Sequence, residues 1–231
     1  KRQGKKKWPQ THIDTSKEAE AAYKAGIEII SCEPDHHFKD VRKVAPTAFL
    51  SVGIKHGLVS SAQEAIKKGF EIMEMGADAI YCSHSINFIE AMAKEGIPIT
   101  AHVGLVPNLS TWTNFRAVGK TAEEAFKVYQ NVKDLESAGA ACVEVEVVPV
   151  EIADYITKNT RMITMGMGCG DVCDTQYLFC NDILGTNKGH YPRHAKKYVD
   201  ISSKEDELQK LRVDGFKSVS YTHLTLPTIY S

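Results

Sequence analysis

The sequence predicts an α/β fold, a (β/α)8 TIM barrel. Short apolar strands alternate with amphipathic helical segments, most of the helices stop at a glycine, and carboxylates and histidines stand where the strands end. A doubly wound open sheet produces the same alternation, so periodicity alone leaves that architecture open.

Taken in order, a first strand is expected over Trp8 to Ile13. The helix Ser16 to Ala25 stops at Gly26 and hands over to the strand Ile27 to Cys32, and a further strand falls at Thr47 to Val52. The helix Ala62 to Met75, Gly76 and the strand Ala77 to Cys82 repeat the pattern, as do the helix Ile86 to Glu95, Gly96 and the strand Ile97 to Ala101. Thr121 with Glu124 reads as a capping box that starts the helix Thr121 to Ala138, and Gly139 then leads into the strand Ala140 to Glu146. Strands at Met162 to Met165 and Tyr177 to Asn181 complete the set, followed by a last helix from Lys204 to about Phe216. One barrel domain is expected over 8–218. The basic run 1–7 (KRQGKKK) stands outside it, and 219–231 (VSYTHLTLPTIYS) resembles translated adaptor sequence and is left out of the functional reading.

Composition narrows the partners. Lysine plus arginine (28) nearly balances aspartate plus glutamate (29), which argues against nucleic acid and favours a small-molecule substrate. Apolar runs such as Ile27 to Cys32 fall far short of the roughly 20 residues that cross a bilayer, so no membrane role and a cytoplasmic location are expected. The six cysteines are read as reduced, structural thiols.

Glu146 ends a hydrophobic strand just before Val147-Val148-Pro149, the place where barrel enzymes keep catalytic groups. Glu33 and Asp35 follow the second strand and His102 follows the fifth. Gly166, Gly168 and Gly170 form a turn after a late strand rather than a phosphate cradle, and Cys169 with Cys173 lacks the second ligand pair of a zinc site.

Four ordered blocks carry a family resemblance. Gly96-Ile-Pro-Ile-Thr-Ala-His102-Val-Gly-Leu-Val-Pro107, Val118-Gly-Lys-Thr-Ala-Glu-Glu-Ala125, Glu146-Val-Val-Pro-Val-Glu-Ile-Ala153 and Met165-Gly-Met-Gly-Cys-Gly170 resemble ketopantoate hydroxymethyltransferase, strongly from about Gly76 to Asp200. The resemblance implies a barrel like that of the phosphoenolpyruvate mutase and isocitrate lyase superfamily, Mg²⁺ or another divalent metal, and a homo-oligomer packed through outer helices. It also implies transfer of a hydroxymethyl group from 5,10-methylenetetrahydrofolate to 3-methyl-2-oxobutanoate, a 2-oxo acid, in pantothenate biosynthesis. By the same match, Glu146 is the general base and His102 stands beside the substrate.

The metal ligands depart from the family's pattern of aspartates after the second and third strands and a glutamate after the fourth. Glu33 takes the first place, Gly53 the second, and Tyr81-Cys82-Ser83 the family's Lys-x-Glu, so Glu33 is the expected metal ligand and Lys55, Tyr81 and Ser83 the expected substrate contacts. Three outcomes stay open: a softer site for Zn²⁺, Mn²⁺ or Fe²⁺ drawn from Glu33, Asp35, His36, His37, His56 and His102; Lys55 standing in for the metal or forming a Schiff base; or loss of the chemistry. The rival functions are a carbon–carbon lyase or isomerase on another 2-oxo or phosphoenol acid, and a non-catalytic barrel.

Overall fold

In the computed structural model, which describes residues 7–35, 38–110, 115–201 and 208–222, eight parallel strands close in chain order from β1 back to β8. They are β1 Trp8–His12, β2 Ile29–Cys32, β3 Phe49–Gly53, β4 Ala79–Tyr81, β5 Ile99–Gly104, β6 Cys142–Glu146, β7 Ile163–Met167 and β8 Thr175–Phe179. The helices are α1 Ser16–Lys24, α2 Phe38–Val44, α3 Ala62–Glu74, α4 Ile86–Lys94, α5 Ala122–Ser137, α6 Val150–Asn159, α7 Cys180–Leu184 and α8 Leu208–Thr222. Closure settles the choice between barrel and open sheet in favour of the barrel.

The glycine stops hold: Gly26, Gly76, Gly96 and Gly139 all take positive φ just beyond α1, α3, α4 and α5. The capping box is found at Thr15 and Glu18 instead, where both reciprocal bonds form. At α5, Thr121 accepts from Glu124 N. Glu124, however, reaches back past the cap to Lys120 N, Gly119 N and Arg116, so only half of the expected box is present.

Several elements depart from the sequence reading. The last strand is Thr175–Phe179, and Cys180 and Asn181 already belong to α7. Between β7 and β8 there is no helix among the described residues: the chain returns through 168–174 alone to pair Met165 with Thr175. So short a parallel crossover needs tight pinning. Asp174 supplies it, its carboxylate accepting from Thr164 N at 2.9 Å and Thr164 Oγ1 at 3.1 Å. Cys169 and Cys173 fill the space beneath, where a Cβ on Gly166 would come within 2.8 Å of Cys173 Cβ. All six cysteines are free and buried, and these two pack as small apolar side chains. Helix α8 runs to Thr222, across the expected domain boundary, with Val219 buried. Among the described residues no helix is long and apolar enough to cross a membrane.

Register decides what fills the barrel. Gln10 pairs with Ile29 and Tyr177, His102 with Glu144, and Glu144 with Met165, so alternate residues of each strand share the interior. Its floor is apolar, with Ile29, Cys142 and Met165 packed against Trp8, Phe49 and Ile163. Above the floor the filling turns polar: Ser51 donates to Thr100 Oγ1 at 3.1 Å across β4, and Ser31 donates to the Tyr177 hydroxyl at 2.9 Å.

On the outside, Glu136 ties α5 to the start of β7, accepting from Lys133 Nζ at 2.6 Å, Arg161 Nε at 2.8 Å and Arg161 N at 3.1 Å. Burial raises its carboxyl pKa, but these bonds outweigh burial and bring it down from 4.5 to about 2. A lowered folded pKa gives stability that is present above the unfolded value and lost as pH falls through the folded one. Glu136→Gln should therefore cost about 1–2 kcal/mol at neutral pH. In urea melts the gap to the parent should close as pH falls from about 4.5 toward about 2.

Candidate active site

Strand β6 reads Cys-Val-Glu-Val-Glu, and its period of two sends Val143 and Val145 outward into the helical layer and Glu144 and Glu146 inward. On β5, His102 pairs with Glu144 and Gly104 with Glu146. His102 thus lies within its strand, which runs on to Gly104, rather than after it.

These side chains meet in one cluster. His102 Nδ1 is 2.5 Å from the Tyr81 hydroxyl, and His102 Nε2 is 3.0 Å from Glu146 Oε2 and 4.0 Å from Glu144 Oε1. Although close to Glu146, Nε2 makes no hydrogen bond, because distance is satisfied and alignment is not. The imidazole is only 3% exposed.

Burial dominates the electrostatics. It raises Glu146 to about 8 and, opposed by His102 and assisted by Glu146, raises Glu144 to about 7. It lowers His102, which Glu144 and a backbone contact with Leu105 partly offset. Burial and then the charge of Glu144 push the Tyr81 and Tyr177 hydroxyls up. Among the described ion pairs, His102 is the sole basic partner of either glutamate.

The backbone around Glu146 is held tightly. Gly104 has φ of 88°, and a Cβ there would stand 2.2 Å from the Glu146 carbonyl oxygen. That carbonyl accepts from Leu105 N, and Val147 N donates to Met167 O at 2.8 Å. Val147 has φ of 49°, a costly conformation for a β-branched residue, so strand β6 exits under strain next to Glu146.

The other expected site residues scatter. Tyr81 joins the cluster, whereas Ser83 is half-buried beyond the end of β4. Lys55 and His56 are exposed in the loop after β3, where His56 stacks on His84 at 5.0 Å and Lys55 forms none of the cluster's ion pairs. His36 and His37 lie outside the described residues. Glu33 and Asp35 are exposed and line a shallow cleft with Ile13, Asp14, Cys32 and Val41. Among the described residues, His102 and His56 do not converge on Glu33, since His102 faces Glu144 and Glu146 while His56 pairs with His84.

Glu33 has a specific placement. Its two carboxylate oxygens lie 3.4 Å from where a Cβ on Gly53 would be, so it fills the room that a side chain at 53 would take. Positions 33, 53 and 83 together offer one carboxylate and one hydroxyl, a donor set that does not fit the Mg²⁺ site the resemblance implies.

Sequence reading missed Glu144. The available signal was the Val-Glu-Val-Glu alternation, which places two carboxylates on one face of a strand.

Paired carboxylates and an imidazole thus stand near the carboxyl ends of two adjacent strands of a closed barrel, a set of groups able to take up and release protons. The family model described as ketopantoate hydroxymethyltransferase matches residues 12–212, and the chain belongs to that family. It is 35% identical over 185 residues to the 3-methyl-2-oxobutanoate hydroxymethyltransferase of Geobacillus sp. (strain WCH70), covering 78% of this chain and 66% of the relative. The enzyme of that name from Thermoanaerobacter sp. (strain X514) is 30% identical over 202 residues, covering 85% and 71%. The chain thus spans about two thirds of these relatives' length. Among solved structures, orotidine 5'-monophosphate decarboxylase from Methanocaldococcus jannaschii superposes with a TM-score of 0.61 at 8% identity, over 94% of this chain and 99% of that one. A 2,3-dimethylmalate lyase of the phosphoenolpyruvate mutase/isocitrate lyase superfamily gives 0.53 at 12% identity, over 74% and 70%. At such identities the likeness is one of fold alone.

Two desolvated carboxylates without a lysine or arginine partner cost folding energy that an apolar side chain would not. Glu144→Met should raise the thermal midpoint at pH 8 by an amount equivalent to about 1–3 kcal/mol, read by calorimetry against the parent.

Proposed function

We propose that this chain is a hydroxymethyltransferase-type enzyme that moves a one-carbon unit from 5,10-methylenetetrahydrofolate to a 2-oxo acid, 3-methyl-2-oxobutanoate in the first instance. The observation that carries the reading is Glu146, a carboxylate desolvated at the end of β6 and 3.0 Å from His102 Nε2, within a chain of this family.

The difficult step is removal of the C3 proton next to the ketone. Glu146 in its ionised form accepts that proton, and its burial makes it a stronger base than a solvated carboxylate. His102 orients the substrate, and its ring is itself held by the Tyr81 hydroxyl on Nδ1. A hydrogen-bond donor at the enolate oxygen stabilises developing charge, a role assigned to the Tyr81 hydroxyl, which accepts from His102 Nδ1–H in a site largely closed to water. Ser83 and Lys55 contact the rest of the substrate, with the Lys55 ammonium meeting its carboxylate. The folate is assigned from the family. A homo-oligomer in the cytoplasm is part of the same proposal, supported by exposed Phe126 and Tyr155 on α5 and α6.

A lyase or isomerase reaction on another 2-oxo acid is the second reading, favoured by the single carboxylate left at positions 33, 53 and 83. Turnover of such an acid without folate, in a substrate panel, selects it.

Proton–deuteron exchange at C3 of 3-methyl-2-oxobutanoate, followed by NMR in D2O, tests the first reading. Glu146→Gln should slow exchange by about 10²–10⁴-fold. A parent protein that gives no exchange with folate and with any divalent metal overturns it.

A further inference from the structure

We propose that His102, Glu144 and Glu146 form a divalent transition-metal site on β5 and β6, at a place other than Glu33. The ligand-capable atoms of the three side chains all lie within 4.8 Å of one another. The inference uses the pocket of the reading above without resting on it.

An acidic pair alone would not suffice. What points to a ligand is the imidazole between them: Nε2 is buried, lacks any hydrogen bond, and faces both carboxylates at 3.0 Å and 4.0 Å. A buried ring nitrogen left in this state is rare, because its desolvation goes uncompensated. Adjacent donors on an octahedral ion with bonds of about 2.1 Å are about 3.0 Å apart and opposite ones about 4.2 Å. The two separations match that spacing, and the poor alignment of Nε2 with Glu146 is what shared ligation produces.

The surroundings fit as well. The Tyr81 hydroxyl occupies Nδ1, which leaves Nε2 as the metal-binding nitrogen and sets the ring plane, as outer partners of ligating histidines do. A dication balances the two carboxylate charges, which have no lysine or arginine partner among the described residues. One imidazole with two carboxylates favours Mn²⁺, Fe²⁺ or Zn²⁺ over Mg²⁺ or Ca²⁺, which prefer all-oxygen shells. A carboxylate that ligates through one oxygen keeps the other as a proton acceptor, so ligation by Glu146 is compatible with a role as base.

The full chain, stripped with a chelator and dialysed, is titrated calorimetrically with Zn²⁺ and with Mn²⁺, with Mg²⁺ as competitor. One equivalent per chain should bind, Mg²⁺ should displace it poorly, and His102→Ala and Glu144→Gln should each weaken binding at least 10-fold while Glu33→Ala leaves it unchanged. Circular dichroism confirms that each variant is folded. X-ray absorption of the Zn²⁺ form should show a single imidazole in an otherwise oxygen shell, a readout that holds even if one variant fails to fold. Absence of stoichiometric binding overturns the proposal, as does binding that survives both cluster variants or is lost with Glu33→Ala. Because the readout is binding, failure of C3 exchange in a protein that loads metal counts against the transferase reading alone.

Discussion

Everything at the mouth of this barrel depends on the phase of the alternation on β5 and β6. A parallel pair in fixed register places His102 beside Glu144 and Gly104 beside Glu146, so two carboxylates and an imidazole share one interior wall. Slipping β5 by one residue would turn Val103 inward, and slipping β6 would turn Val143 and Val145 inward and drive both glutamates into the apolar helical layer. Register is therefore enforced from both sides, by the hydrophobic cost outside and the polar packing inside. Gly104 completes the constraint, since any side chain there would collide with the Glu146 carbonyl and force the strands apart at the site.

The barrel is filled in two regimes, and this division explains how it tolerates a charged interior. Packing around Ile29, Cys142 and Met165 closes the floor, while the outer shell of Val, Ile and Leu between strands and helices carries the bulk of the hydrophobic stabilisation. Above the floor, Ser51 with Thr100 and Ser31 with Tyr177 satisfy one another across the cavity. Such pairs let hydroxyl groups be buried at little cost. The glutamates are the exception, and together with the positive φ of Val147 they mark where local stability is given up.

Much of the fold was legible because each local signal has a strong physical cause. Glycine at Gly26, Gly76, Gly96 and Gly139 is demanded by left-handed backbone, and the blocks around His102 and Glu146 are specific enough to identify the family. The β7–β8 return was not legible, because only tertiary pinning by Asp174 makes a crossover without a helix feasible there. The polar wall also continues one layer below the strand ends, where Glu144 lies, and its spacing from Glu146 is visible in Val-Glu-Val-Glu. The convergence of Glu33 on the space beside Gly53 is a matter of rotamer and backbone path, which no motif encodes.

The distribution of carboxylates follows from barrel geometry. The family pattern spreads them over the ends of the second, third and fourth strands, whereas this chain keeps Glu33 there and carries a pair on β6. Strand ends of a small closed barrel all deliver side chains to one volume, so a carboxylate lost at one strand can be supplied from another without altering the fold. Local environment does not transfer so freely. Glu33 sits in water beside an open cleft, while Glu144 is enclosed by Tyr81, His102 and Glu146. A negative charge in the second setting interacts far more strongly with any cation or proton that reaches it, because less solvent screens it. The desolvated charge of the barrel mouth accordingly lies on β5 and β6, while the carboxylate on the Glu33 side stays solvated.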